Sequence, residues 1–356
     1  MPVYKDEKRG TWYVRFKQKD WTGQTRAIWK RGFSSKREAV QWELDYKSKQ
    51  KGSLNMTLAQ FVDIYKEDRA NRIKESTMVT KENIIDFHIV PYFGSKKMAD
   101  ITPADVIKWQ NFIMSKTDRN GKKFSKSFLK TIHNQLSALM NHAVKYYGLS
   151  SNPAQTVGNM GTDKGIEMNY LTLEEYRKLA EVLMDEPMFY YAVEVLYWCG
   201  IREGELLALE ADDFDFEKRT LSITKTFQRI RGKDTISSPK TNKSRRTITV
   251  PEFLCEEIKD YIGMMYDGEK MGRLFPISKS GLTIAFKRAL KKAGLKEIRV
   301  HDLRHSHVSL LISQGYSAVS IADRVGHESI DITYRYAHLF PSDKREMADR
   351  LNELKG

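Results

Sequence analysis

Cysteine is scarce in this chain. Cys199 and Cys255 are the two present among 356 residues. Both stand in apolar stretches without CxxC spacing, which excludes a disulfide framework and predicts packing residues in a reduced cytoplasm. No apolar run is long enough to span a bilayer and no signal peptide is recognisable, so a membrane role is not expected. There is also no cluster of carboxylates of the kind that holds Mg²⁺. What the chain has is positive charge: 60 Lys and Arg against 46 Asp and Glu, a net of +14 and a pI near 9.4. An excess of this size favours a polyanionic partner, nucleic acid first, over lysine that merely aids solubility. At 41.4 kDa the chain exceeds one ordinary core, and two or three domains are expected.

The charge is concentrated at the start. Residues 1–53 carry 14 Lys and Arg against 6 Asp and Glu, a net of +8. GTWYVRFKQ and QTRAIWKRGF alternate aromatic and polar residues around a turn at residues 20–23, which predicts two or three short antiparallel strands. Ser34 or Ser35 then caps a helix with Ala39, Trp42 and Tyr46 on one stripe. Trp12, Trp21, Trp29 and Trp42 supply a core for so small a unit. This basic ββ(β)α module is expected to lay Arg15, Lys17, Arg26 and Lys30 against DNA; the alternative is a stable module with no specific partner.

Residues 54–152 read as all helical. Thr57 caps a first helix, Ser76 begins one that ends before Pro91 and Gly94, and Thr102, Pro103 and Asp105 open another. The longest runs from Ser125 or Lys126 to Tyr147, with Gly148 as its stop. Basic stretches at 69–74 and 116–130, Lys126 and Lys130 among them, point to nucleic-acid contact. His88, His133 and His142 are expected to be ordinary core or surface histidines. Residues 153–169, rich in Asn, Gly and Thr without periodicity, read as a linker.

From residue 170 a new domain opens with the Thr172–Glu175 capping box. A helix from Met188 to Trp198 is broken by Gly200, and IREGELLALE predicts another with Arg202 in its first turn and Glu205 on the same face. An arginine there opposes the helix dipole, so either it forms a plain surface pair or a carboxylate holds it for phosphate binding. TLSITKT and RRTITVP alternate with period two, a small antiparallel sheet, and SSPKTNKSRR between them carries Lys240 on a hairpin. Lys225, Lys243 and the two following arginines compete with Lys240 on spacing alone.

Residues 300–339, VHDLRHSHVSLLISQGYSAVSIADRVGHESIDITYRYAHL, pack His301, Arg304, His327, Tyr334 and Tyr336 into one region. Helices from Ser306 to Ile312 and from Ala318 to Val325 leave these polar residues at helix ends and turns. His301 and Arg304 share a helix opening, where exposed N–H groups favour an anion. Arginines, a lysine, histidines and a hydroxyl nucleophile without a carboxylate cluster suit metal-free phosphoryl transfer.

At these residues the sequence resembles the tyrosine recombinase (phage integrase) family, of the three-domain phage and conjugative-transposon type. GIREGELLAL is similar to the family's first signature box, PKTNKSRRTITVP to its lysine hairpin, and HDLRHSHVSLLISQG with GHESIDITYRYAHL to its second box. The resemblance implies catalytic positions at Arg202, Lys240, His301, Arg304, His327 and Tyr336, with Glu205 in support. Tyr336 is preferred to Tyr334 because it precedes Ala337 and His338 and follows His327 by nine residues. It further implies an arm-binding module over 1–53, a core-binding helical domain over 54–152 and a catalytic domain over 170–338. The implied fold is mainly α with small β-sheets. A 3′-phosphotyrosyl intermediate, Holliday-junction exchange by a homotetramer on core and arm DNA, and no metal or other cofactor are expected. So are accessory DNA-bending or excision factors, a C-terminal tail (339–356) that docks on a neighbour or else packs on its own domain, and work on the nucleoid of a bacterial host. Three alternatives stand beside this reading: a metallohydrolase built on His301, His305 and His307, a catalytically idle DNA-binding regulator, and a type IB topoisomerase-like enzyme.

Overall fold

The computed structural model describes residues 3–7, 9–19, 25–50, 56–162, 168–238, 244–265, 272–334 and 336. Lys240 and the tail over 339–356 lie outside these residues. The chain divides into two units, 1–165 and 166–356.

The first unit begins with an antiparallel meander of β1 (Val3–Asp6), β2 (Thr11–Lys19) and β3 (Thr25–Phe33). Helix α1 (Lys36–Gln50) starts where Glu38 N–H donates to Ser35 Oγ at 3.2 Å. Ala39 on α1 is buried with Val14 and Phe33, against Trp12, Phe16 and Trp42, so α1 covers one face of the sheet. The side chain of Tyr46 lies outside the described residues.

Strand register divides the expected row of cations. Residues opposite one another in an antiparallel pair share a face. Tyr13 pairs with Arg31, Arg15 with Trp29 and Lys17 with Ala27, whereas Lys30 pairs with buried Val14 on the face that α1 covers. The parity changes because a bulge between Trp12 and Tyr13 leaves Gly32, at φ +93, as the extra residue. The open face therefore carries Arg15 and Lys17 together with Arg31, which the alternation did not single out. The Arg31 guanidinium lies 3.6 Å from the Trp29 ring centroid and that of Arg15 5.5 Å. Arg26 is paired in β3 opposite Gln18.

The rest of the unit is helical. Thr57 and Gln60 form a capping box for α2 (Leu58–Ala70). Helix α3 (Glu75–Ile84) starts one residue before Ser76 and runs through a π segment (Ile85–Ile89) into α4 (Val90–Phe93). Proline does not end this rod as expected, because Pro91 falls in the first turn of α4, where a backbone donor is not needed. The Trp109 indole donates to the His88 carbonyl at this irregular turn (2.9 Å). Helix α5 (Pro103–Ser115) carries the Thr102–Asp105 box, and α6 (Lys126–Tyr147) ends at left-handed Gly148. The linker expected over 153–169 is corrected at its start: α7 (Pro153–Val157) is capped by Asn152, and its Ala154 is fully buried in the helical core. Five helical residues are too few for a periodic signal to show. His142 and Tyr147 both bond to Asp68 (2.7 and 2.6 Å) and His133 to Gln110 (3.1 Å), the structural roles expected of such histidines.

The second unit opens with α8 (Leu173–Leu183) and α9 (Pro187–Cys199). Ala192 to Tyr197 are buried without a break, so α9 is a central helix covered on all sides there. The single turn α10 (Glu203–Leu206) follows, then β4 (Phe214–Asp215), β5 (Thr220–Ile223), β6 (Thr226–Ile230), β7 (Lys233–Ser237) and β8 (Arg246–Thr249). The expected sheet is two: β4-β5-β8, and a separate β6-β7 hairpin turning at Arg231 and Gly232, both with positive φ. Helices α11 (Glu252–Met264), α12 (Lys279–Lys292), α13 (Asp302–Ser313), α14 (Ala318–Val325) and the short α15 (Asp331–Tyr334) complete it. Leu179, Leu196, Ile258, Phe275, Phe286 and Leu303 meet in its main core. Among the described residues no helix is long and apolar enough to cross a membrane.

Candidate active site

The site is built around Gly200. This residue ends α9 in the left-handed conformation (φ +62), and a Cβ here would lie 2.3 Å from the His307 ring, so both backbone and space call for glycine. Its carbonyl accepts from Arg304 Nη1 on α13 (2.8 Å). The chain then turns extended at Arg202, which is the N-cap of α10 rather than a first-turn residue. Glu205 accepts from the Arg202 backbone N–H (2.9 Å) and from its Nη1 (2.7 Å), while Arg202 Nη2 donates to the Gly326 carbonyl at the end of α14 (2.9 Å).

Glu205 has a second cation. Arg246 on β8 donates through Nη2 to Glu205 Oε2 (3.0 Å) and through Nε to the Arg324 carbonyl (2.9 Å). Burial would raise the Glu205 pKa, but the Arg246 and Arg202 cations and hydrogen bonds outweigh it and hold it below the usual value. On spacing alone Arg246 is one of the competitors of Lys240. The missed signal is parity, since Arg246 stands on the same side of β8 as buried Ile248. Lys225, another competitor, is occupied by Glu210 (2.6 Å) and Asp213 (3.1 Å). Lys243 lies outside the described residues.

Arg304 is 4% exposed, and its Nη2 is buried without a hydrogen-bond partner among the described residues. Burial first, then the Arg202 and Arg246 cations, lower its pKa to about 9. Two guanidiniums thus share the Glu205 carboxylate, a third stands close enough to feel their charge, and its Nη2 is left unused among the described residues. His327 Nδ1 bonds to Thr333 Oγ1 (2.8 Å), and burial followed by the Arg304 cation lowers its pKa to about 3, so the ring is neutral at physiological pH. His301, an exposed residue, stands at the N-cap of α13; desolvation first, then His305 and Arg304, lower its pKa to about 4.

Tyr336 is 1% exposed and packs on Val308, Ile312, Ile321 and Val325, while Tyr334 is 54% exposed. The Tyr336 hydroxyl bonds to His305 Nδ1. His305, outside the six positions that the resemblance implies, meets the His301 ring edge-on at 5.4 Å. His307 points elsewhere: its Nε2 accepts from Arg324 Nε (3.2 Å) and its ring covers Gly200, so the three histidines of the metallohydrolase reading do not converge.

A buried guanidinium N–H left without an acceptor costs about 1–3 kcal/mol, and an oxyanion arriving between the arginines removes that cost. With a phenol at hand, the fold and site define an enzyme class that transfers phosphoryl groups through a tyrosine. Comparison with known proteins gives the family. Successive parts of the chain match an arm DNA-binding domain (residues 2–50), a phage integrase N-terminal SAM-like domain (57–114) and the phage integrase family itself (169–343). The chain belongs to the phage integrase family of tyrosine recombinases, enzymes that cut and rejoin DNA. It is 26% identical over 341 residues to the ICEBs1 integrase of Bacillus subtilis (strain 168), covering 90% of this chain and 91% of that protein. It shares its fold with the Tn1549 transposon integrase solved in complex with a circular intermediate DNA (TM-score 0.68, 20% identity, 85% of this chain and 100% of that one). The fold is also that of a lambda integrase tetramer bound to a Holliday junction (TM-score 0.59, 19% identity, 96% of this chain and 95% of that one).

Proposed function

We propose that this chain integrates and excises a phage or conjugative element in a bacterial host, with Tyr336 as the nucleophile that cuts DNA. The observation that supports this most is Nη2 of Arg304, without a partner among the described residues and buried close to Arg202 and Tyr336. In this reading Arg202 and Arg304 grip the nonbridging oxygens of the scissile phosphate and offset the charge of the pentacoordinate transition state. Glu205 fixes Arg202. His327, a neutral ring, donates a hydrogen bond to the phosphate, and His301 assists proton transfer at the rim.

Tyr336 attacks phosphorus to form a 3′-phosphotyrosyl ester, and the 5′ oxygen leaves with a proton from Lys240. A 5′-hydroxyl from a partner strand reverses the step. Because the ester conserves the bond, neither a nucleotide nor a divalent ion is consumed. Four protomers on core DNA exchange strands through a Holliday junction, and the tail over 339–356 docks on a neighbour. The open face of the N-terminal sheet, with Arg15, Lys17 and Arg31 around Trp29, takes arm DNA, and Lys126 and Lys130 take the core backbone. Accessory bending or excision factors set direction.

The test is a nicked duplex carrying the repeat that borders the element. The full chain is expected to form a covalent protein–DNA adduct that survives denaturant. Tyr336→Phe is expected to bind the duplex and form none, while Tyr334→Phe retains the adduct. A dead Tyr334→Phe with an active Tyr336→Phe would overturn the assignment, and no adduct from the unaltered chain would favour an idle regulator.

A further inference from the structure

We propose that His305 is the base that takes the phenolic proton from Tyr336 as it attacks DNA, with Asp302 seated behind the imidazole. The contact is direct: Nδ1 of His305 meets the Tyr336 hydroxyl. With the phenol as donor, Nδ1 is the accepting nitrogen and the ring proton sits on Nε2. That nitrogen faces Asp302 Oδ1 at 3.8 Å, and Asp302 is 1% exposed and fixed by Arg299 (Nη2 to Oδ1, 2.7 Å). Carboxylate, imidazole and phenol therefore follow one another in that order, with the carboxylate at ion-pair distance from the ring, where it stabilises a proton the imidazole takes up.

The charged and titratable groups around His305 are Asp302, Arg299 and Arg304 on its own side, His301 edge-on to it, His327, and Tyr336 opposite. Burial lowers the His305 pKa; Asp302 opposes the shift, and Arg299 and Arg304 add to it. The ring is thus neutral and able to accept a proton near pH 7. His301, exposed at the rim, is separated from Tyr336 by His305, which sits where a proton leaves the nucleophile.

The step balances within the site. The Oη–P bond forms, the P–O5′ bond breaks, the phenolic proton passes to His305 Nδ1, and the 5′ oxygen takes its proton from the acid assigned to Lys240. On rejoining, a 5′-hydroxyl gives its proton back to the group assigned as Lys240 and forms a new P–O5′ bond, the Oη–P bond breaks, and His305 returns its proton to the phenolate. This rests on the reading of Tyr336 as nucleophile, and the test separates the two.

His305→Asn keeps an acceptor near the Nδ1 position but cannot hold a proton at neutral pH. On the nicked duplex it is expected to bind DNA normally and to form adduct about 100-fold more slowly or worse, the usual contribution of a general base. Its rate should climb steadily with pH toward tyrosine ionisation, where the parent levels off once His305 is neutral. A second duplex replaces the bridging 5′ oxygen with sulfur, a leaving group that needs no proton. It is expected to restore a Lys240→Ala enzyme and to leave His305→Asn slow. His305→Gln, which fills the ring volume with its amide beyond the Nδ1 position, serves if His305→Asn fails to fold, with the same result expected. Cleavage within a few-fold of the parent, faster cleavage, or rescue by sulfur would overturn the base assignment. Adduct formation by Tyr336→Phe would instead overturn the nucleophile itself.

Discussion

Arg246 carries more of the site than its place in a basic run suggests. In KSRRTITVP every cation looks alike, and only the strand's period, continued back from Ile248, separates inward Arg246 from exposed Arg245. Its side chain is 7% exposed and that of Glu205 3%, so the pair is withdrawn from solvent. Removing one partner of such a pair costs about 3–5 kcal/mol, because the other charge stays buried. Arg246→Met is therefore expected to lower unfolding free energy by about 2–4 kcal/mol, Arg202 retaining part of the Glu205 interaction. Adding Glu205→Gln should recover part of the loss, a coupling that a double-mutant cycle in urea measures. Strictly additive losses would contradict this. Motifs mark the six positions that the resemblance implies; Arg202, His301, Arg304, His327 and Tyr336 stand near one another, while Lys240 lies outside the described residues. His305 was not legible, since the residue that docks against it lies 31 positions on and only the fold brings Tyr336 back.

Helix caps were legible and helix interiors less so. The boxes at Thr57, Thr102 and Thr172 stand where the sequence put them, because a side-chain oxygen answering a free N–H is a local event. The π segment before Pro91, the five-residue α7 and the bulge at Gly32 were not legible, since packing decides each. The joint between α8 and α9 has a similar origin. Tyr176 and Tyr197 stack at 3.5 Å, and Tyr176 Oη donates to Glu194 Oε1 at 2.5 Å inside the core. Burial raises the Glu194 pKa to about 7 against the Tyr176 hydrogen bond, with Glu257 adding to the rise. Between about 4.5 and 7 the folded state thus holds a proton that the unfolded state has lost, so this group's contribution falls as pH rises through that window, by on the order of 3 kcal/mol. Glu194→Gln keeps an acceptor for Tyr176 without the ionisation. Its melting temperature is expected to match the parent near pH 4.5 and exceed it at pH 8. An equal gap at both values would show that Glu194 is ionised in the fold.

At the scale of the whole chain, charge and chemistry are segregated. Residues 1–53 hold +8 of the net +14, and the groups of the site come from positions 202 to 336. Removing residues 1–53 is expected to leave core-duplex cleavage intact and to reduce integration at arm-bearing DNA by at least tenfold, read by comparing the two substrates. Equal loss on both would contradict separate DNA contacts. The order of the modules was legible because composition changes sharply at their borders; the assembly of the site was not, because Arg202, Arg246 and Arg304 gather only once α10, β8 and α13 have packed. The central claim is that Tyr336 becomes joined to DNA, and the sequence offers a direct measurement, since Arg335 separates the two candidate tyrosines at a trypsin site. Digestion of the trapped adduct with trypsin and nuclease, followed by mass spectrometry, is expected to find the nucleotide on the peptide spanning residues 336–344. A nucleotide on the peptide spanning 325–335, which holds Tyr334, would contradict the account.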